Sequence, residues 1–277
     1  MTQVETNKIM SFWSHFDELR VRLMRCLWVF FGGFIAAYFT SDFFLDVLRK
    51  PLFEALPPDQ QKLYFTSLFE NFLTHLKISG YAAIFFLSPY FFYELWKFIA
   101  PGLLAKEKKL VIPFVSAATL FFIGGASFAY FVLFPVGFRY FVNYGGPTEV
   151  PLLTMDSYYS TCLKLLLLFG LAFESPVLVV LLGYLGVVDE KILRAQRRTA
   201  LLIITVASAL FAPPDAVSML ILMAPLALMY EGSILVVAWI SRKRAQDPEY
   251  MRRKAERDAL HEAENPDPDT FWVGKSR

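Results

Sequence analysis

Six apolar stretches, dense in Phe and Leu and nearly free of charge, restrict what this chain can become. They cover Leu23–Thr40, Leu73–Ile99, Val111–Phe134, Cys162–Val188, Ala200–Ala212 and Val217–Ile240. Windows of about 19 apolar residues are the signature of bilayer spans. Backbone amides and carbonyls find no water in hydrocarbon, so each span must satisfy them internally as a helix. The pattern predicts an all-α integral membrane protein with six transmembrane helices. Composition agrees, with 56% hydrophobic and 19% charged residues, against about 45–50% and about 25% in soluble domains. A net charge of +2 gives no footprint for nucleic acid.

Lys and Arg set the orientation. Grouping the N-terminus with the second and fourth connections and the tail puts 21 of the 27 basic residues on one side. Both termini are therefore expected in the cytoplasm. The first residues carry Glu5, Asp17 and Glu18 and no apolar run before Leu23, so no cleavable signal peptide is expected. Residues 1–240 read as the membrane domain. Residues 241–277 alternate basic and acidic side chains and read as a solvated helix running into disorder.

The connections differ in kind. Ser41–Phe72 mixes Phe, Leu and charge at helical spacing, broken by Pro51 and Pro57-Pro58, and predicts short amphipathic pieces on the outer side. Pro135–Thr161 reads as a loop with another short helix, and Pro213-Pro214-Asp215-Ala216 as a tight turn. That turn limits the fifth span to Ala200–Ala212, about 20 Å against a hydrocarbon thickness of about 30 Å. If Glu231 marks the cytoplasmic boundary, the last helix is short as well, and the pair is expected to thin the bilayer.

A few polar residues need an explanation. Glu174 lies midway along the fourth span, where insertion of an acid costs about 2.5–3.5 kcal/mol. It should face the bundle interior, either as a functional group or as a protonated carboxyl bonded to a neighbouring helix. Glu94 and Lys97, three apart, suggest an intrahelical ion pair. Asp215 precedes the last helix as a plausible N-cap. Glu18 and Glu107 stand on an otherwise basic inner side. Each either pairs with basic neighbours or converges with the other on guanidinium groups of a partner. Cys26 and Cys162 lack metal or redox spacing. No hydrolase, metalloprotease or nucleotide-binding motif occurs, so no enzyme is expected and no cofactor is implied.

Several motifs occur in order along the chain. They begin with His15-Phe16-Asp17-Glu18-Leu19-Arg20-Val21-Arg22-Leu23 and Lys50-Pro51-Leu52. Tyr93-Glu94-Leu95-Trp96-Lys97-Phe98-Ile99-Ala100-Pro101-Gly102-Leu103 follows, with Glu107. Phe122–Tyr130, Phe134-Pro135, Phe173-Glu174-Ser175-Pro176 and Pro213-Pro214-Asp215 complete the series. In this order they resemble the TatC family of the twin-arginine protein translocase. The resemblance implies a concave, glove-like bundle in the bacterial cytoplasmic membrane. It implies a receptor that binds twin-arginine signal peptides, self-associates, and works with TatA- and TatB-type subunits. Folded cargo would then be exported on the proton-motive force. It also implies signal-peptide contacts at Glu18 and Glu107, with Phe98, Pro101, Arg20 and Arg22 around them. Pro51 and Asp215 are implied as functional outer-side positions, and Glu174 as the mid-membrane acid of the concave side. The family's usual Thr and Gln around the Pro-Pro-Asp turn are Ala212 and Met219 here, where apolar helix packing can replace a polar docking contact. The alternative reading of the residues is a proton-coupled small-solute transporter using Glu174.

Overall fold

The computed structural model describes residues 12–99, 111–144, 152–184, 188, 190–211, 216–245 and 252. Apart from one isolated bridge, the regular structure is helical: α1 (Phe12–Phe39), α2 (Ser41–Phe53), α3 (Glu70–Ile99), α4 (Val111–Phe128), α5 (Phe134–Val142), α6 (Met155–Tyr184), α7 (Glu190–Ala195), α8 (Arg197–Phe211) and α9 (Ala216–Ala245). By length and composition, four helical stretches among the described residues can cross a membrane: His15–Phe39, Val111–Val142, Met155–Gly183 and Met219–Arg242. Helix α3 has 30 residues, about 45 Å, but Glu70, Lys77, Glu94 and Lys97 dilute its apolar character. Helix α8 has 15 residues, about 22 Å, in keeping with the short fifth segment.

Helix α6 is central, packing along α4, α9 and α3, while α1 lies along α3 and α8 along α9. The α4–α6 contact is close because both helices present glycine there. A Cβ at Gly125 would lie 2.3 Å from the Phe169 carbonyl oxygen, and one at Gly170 would lie 2.8 Å from the Phe122 ring. Small residues that let backbones approach are how membrane helices gain packing energy without a hydrophobic drive between them.

Pro135 does not end the third span as its position suggested. The helix widens into a π turn over Ala129–Leu133, closed by the Phe134 amide donating to the Ala129 carbonyl, and continues as α5. A proline lacks the amide that the regular ladder needs, and a wide turn absorbs that loss without breaking the helix.

In the connection between α1 and α3, α2 buries Leu45, Leu48 and Leu52 on one face and exposes Asp46, Arg49 and Lys50 on the other. Pro51, also buried, has no amide to offer the carbonyl of Val47 four residues back. Tyr130 fills that vacancy, its hydroxyl donating to Val47 O at 2.8 Å. Tyr158 donates to Leu48 O at 2.6 Å and Tyr159 to Leu45 O at 3.4 Å. Three tyrosines from the bundle thus hold about one turn of α2, Leu45 to Leu48.

The rest of the outer connection is tied to the start of α6. Tyr64 donates to Leu153 O at 2.9 Å and accepts from the Met155 amide at 2.8 Å. Glu70, 7% exposed, accepts from the Thr66 amide (2.6 Å), the Thr66 hydroxyl (2.8 Å), the Ser67 amide (3.3 Å) and the Asp156 amide (2.8 Å). Ser67 and Glu70 have capping-box spacing, the acid reaching back to an orphan amide of the helix start. The backbone bonds from Asp156 and Thr66 hold the Glu70 carboxyl down at about 2.

Candidate functional site

The sequence-predicted site residues that the structure brings together lie where α1 enters the bundle beside the end of α3. His15, Glu18 and Arg22 occupy positions i, i+3 and i+7 of α1, one helical face. Opposite them, Glu94 and Phe98 are one turn apart on α3. The His15 ring stacks on Phe98 with centroids 4.2 Å apart and planes 14° from parallel.

Arg22 joins the two acids. Its Nη1 donates to Glu94 Oε2 at 2.8 Å, its Nε donates to Glu18 Oε1 at 3.0 Å, and its Nη2 contacts the same Glu18 oxygen. The side chains are 16% exposed for Arg22, 21% for Glu18 and 6% for Glu94. Two carboxylates thus share one guanidinium at low exposure, where charge-assisted bonds are strong and an unmatched charge is costly. Glu18 Oε2 is buried and has no hydrogen-bond partner among the described residues. The cluster has room for one more donor, and a guanidinium is the side chain whose geometry matches a carboxylate edge.

Glu94 does not pair with Lys97. It turns into the α1–α3 contact, where the planar guanidinium of Arg22 satisfies a buried acid better than a flexible ammonium can. Lys97 stays exposed, its Nζ 4.5 Å from the Tyr93 ring centroid. The sequence set Glu18 with Glu107 and Glu94 with Lys97, and gave no sign that Arg22 would join Glu18 to Glu94.

The other predicted positions are dispersed. Arg20 is exposed on α1, and Pro51 is buried within α2. Glu174 is 7% exposed in the interior of α6, and its Oε1 has no hydrogen-bond partner among the described residues. Pro101, Glu107, Ala212 and Asp215 lie outside the described residues. Glu231 accepts from Arg197 Nη2 at 2.7 Å, tying the start of α8 to α9. Glu70, Tyr130, Tyr158 and Tyr159 went unremarked in the sequence. Of these, Glu70 was findable from its capping-box spacing after Ser67.

An all-helical membrane protein carrying a charged, donor-deficient cluster at one end of its bundle is thereby defined. The family model for Sec-independent protein translocase protein (TatC) matches residues 14–225. The chain belongs to the TatC family. A TatC protein of Desulforapulum autotrophicum is 37% identical over 238 residues, covering 86% of this chain and 88% of that one. One of Campylobacter jejuni is 38% identical over 224 residues, covering 80% and 91%. A crystal structure described as the twin arginine translocase receptor TatC superposes with a TM-score of 0.73 at 32% identity, covering 82% of this chain and 99% of that one.

Proposed function

We propose that this protein is the receptor of a twin-arginine translocase, binding the paired arginines of signal peptides through Glu18 together with Glu107. The observation that carries the reading is Glu18 Oε2 beside Arg22, buried and without a partner among the described residues. A carboxylate oxygen in that condition gains a charge-assisted bond of about 1.5–3 kcal/mol from an added guanidinium. Lysine would lose the two-pronged geometry, which accounts for a preference for arginine. Phe98, Pro101 and Arg20 complete the surface, and Arg22 acts within it as the internal partner of Glu18.

In this reading all six apolar segments span the bilayer as a concave bundle with both termini cytoplasmic. Residues 1–240 form the membrane domain, and the charged tail stays in the cytoplasm of a bacterial cell. TatA- and TatB-type subunits and further copies of the receptor assemble on it, and the proton-motive force drives export of folded cargo. Pro51 serves through the outer cap, Asp215 through the turn before α9, and Glu174 through the concave face. The solute-transporter alternative is not favoured, because the matched family is a protein translocase. Site-specific cross-linking of a twin-arginine precursor tests the assignment. Cross-links should vanish in Glu18→Ala and Glu107→Ala and persist in Glu174→Ala; persistence in all three would remove the proposed roles.

A further inference from the structure

We propose that Arg22 is a built-in competitor for the arginine site, and that Glu94 is the positioning residue that draws it off Glu18 when a peptide arginine arrives. This rests on the reading of Glu18 as an arginine-binding carboxylate.

The argument starts from donors and acceptors. Arg22 directs its Nε and Nη2 at a single oxygen of Glu18, leaving Oε2 of the same carboxylate buried without a donor among the described residues. Its remaining terminal nitrogen, Nη1, is committed to Glu94. A second guanidinium can take both oxygens of Glu18 in the side-by-side arrangement only if Arg22 releases Oε1. Released into a site this dry, Arg22 would be an unpaired buried charge. Glu94 removes that penalty, because it already holds Nη1 and sits deeper than Glu18, with side-chain exposures of 6% and 21%. Tyr90 lies one turn back on α3 and interacts electrostatically with Glu94. With both acids ionised the three groups sum to one negative charge, and an incoming arginine brings the cluster to neutrality.

The arrangement predicts the sign of each substitution. Glu94→Gln leaves Arg22 with Glu18 as its one ionised partner, so peptide binding should weaken. Removing the competitor as well, in Arg22→Gln with Glu94→Gln, frees Glu18 and should restore it. A purely structural role for Glu94 predicts the reverse for the double variant, which loses more native contacts.

The experiment measures binding of a fluorescein-labelled synthetic peptide with two consecutive arginines to full-length protein in nanodiscs. Gel filtration and thermal unfolding report the folded state of each variant. Glu94→Gln should raise Kd about tenfold, the effect of roughly 1.4 kcal/mol, and the double variant should return it to the wild-type value or below. Wild-type affinity in Glu94→Gln, or a double variant no better than Glu94→Gln, overturns the proposal. If Glu94→Gln does not fold, the double variant decides alone: affinity at or above wild type supports the competitor, and weaker affinity refutes it. Glu18→Ala separates the two levels of inference. Loss of binding there with no effect of Glu94→Gln sinks the competitor alone, whereas wild-type binding in Glu18→Ala sinks the receptor site itself.

Discussion

Replacing Tyr130 by Phe removes one hydroxyl oxygen from the bundle and leaves the ring in place. In the native fold that hydroxyl donates to the Val47 carbonyl at 2.8 Å, and Pro51 is the reason the carbonyl has no helical partner. The loss is therefore that of a hydrogen bond plus a part-buried acceptor left unsatisfied, about 1–3 kcal/mol. The mechanism is tested by a double-mutant cycle with Pro51→Ala. An alanine at 51 restores an amide within reach of Val47 O, so the cost of Tyr130→Phe should fall to about 0.5–1 kcal/mol in that background. A coupling of about 1–2 kcal/mol is then expected. Reversible unfolding of the four proteins in mixed micelles, as the SDS fraction is raised, gives the free energies. Equal costs of Tyr130→Phe in the two backgrounds would refute the claim that proline and tyrosine act as one device. The cycle also bears on Pro51 as a functional position, since it predicts that the proline matters by creating an acceptor for the bundle to hold.

Two further outcomes follow from the packing and the outer cap. Gly125→Ala should destabilise by about 1–3 kcal/mol, because its Cβ would meet the Phe169 carbonyl oxygen; Gly124→Ala, facing open space, should be neutral in the same unfolding assay, and equal effects would contradict the close α4–α6 approach. Glu70→Gln should lower thermal stability in a pH-dependent way. The native carboxyl is held at about 2 against an ordinary 4.5, so its contribution is complete above the ordinary value and is lost as pH falls through about 2. The gap in Tm between wild type and variant should be widest above about pH 5 and close on acidification; a gap independent of pH would show that the ionised form is not what the amides hold.

Much of the membrane body was legible because hydrocarbon imposes a crude rule, and runs such as Val111–Phe134 obey it in plain view. The rule failed where helix ends depend on partners distant in sequence. Pro135 reads locally as a stop, yet the packed bundle carries the helix through it by widening one turn. The shortness of α8 was readable from the place of Pro213-Pro214 in the sequence, and α3 was readable from the apolar run Leu73–Ile99 despite its polar residues. At the α1–α3 cluster, the resemblance to TatC singled out Glu18, Arg22 and Phe98 as candidates. It could not show that Arg22 faces both Glu18 and a residue 72 positions away. Glu94 was assigned to its nearest cation by spacing, and burial decided otherwise. The tyrosine clamp was illegible for the same reason: each hydroxyl is 83 to 114 positions from its acceptor.

Glu70 serves two helices that are made at different times. Through one oxygen it closes the start of α3, using amides three and four residues away. Through the other it receives the Asp156 amide, 86 residues further on. A chain emerging from the N-terminal end reaches the first arrangement long before the second exists. During that interval the outer connection has a carboxylate oxygen with no protein donor, and water must serve it. Arrival of α6 displaces that solvent and locks the strand-like pairing of Tyr64 beside it. The fastening of the α2–α3 connection is therefore a late event in assembly, and a chain cut before α6 would leave it without the Asp156 amide.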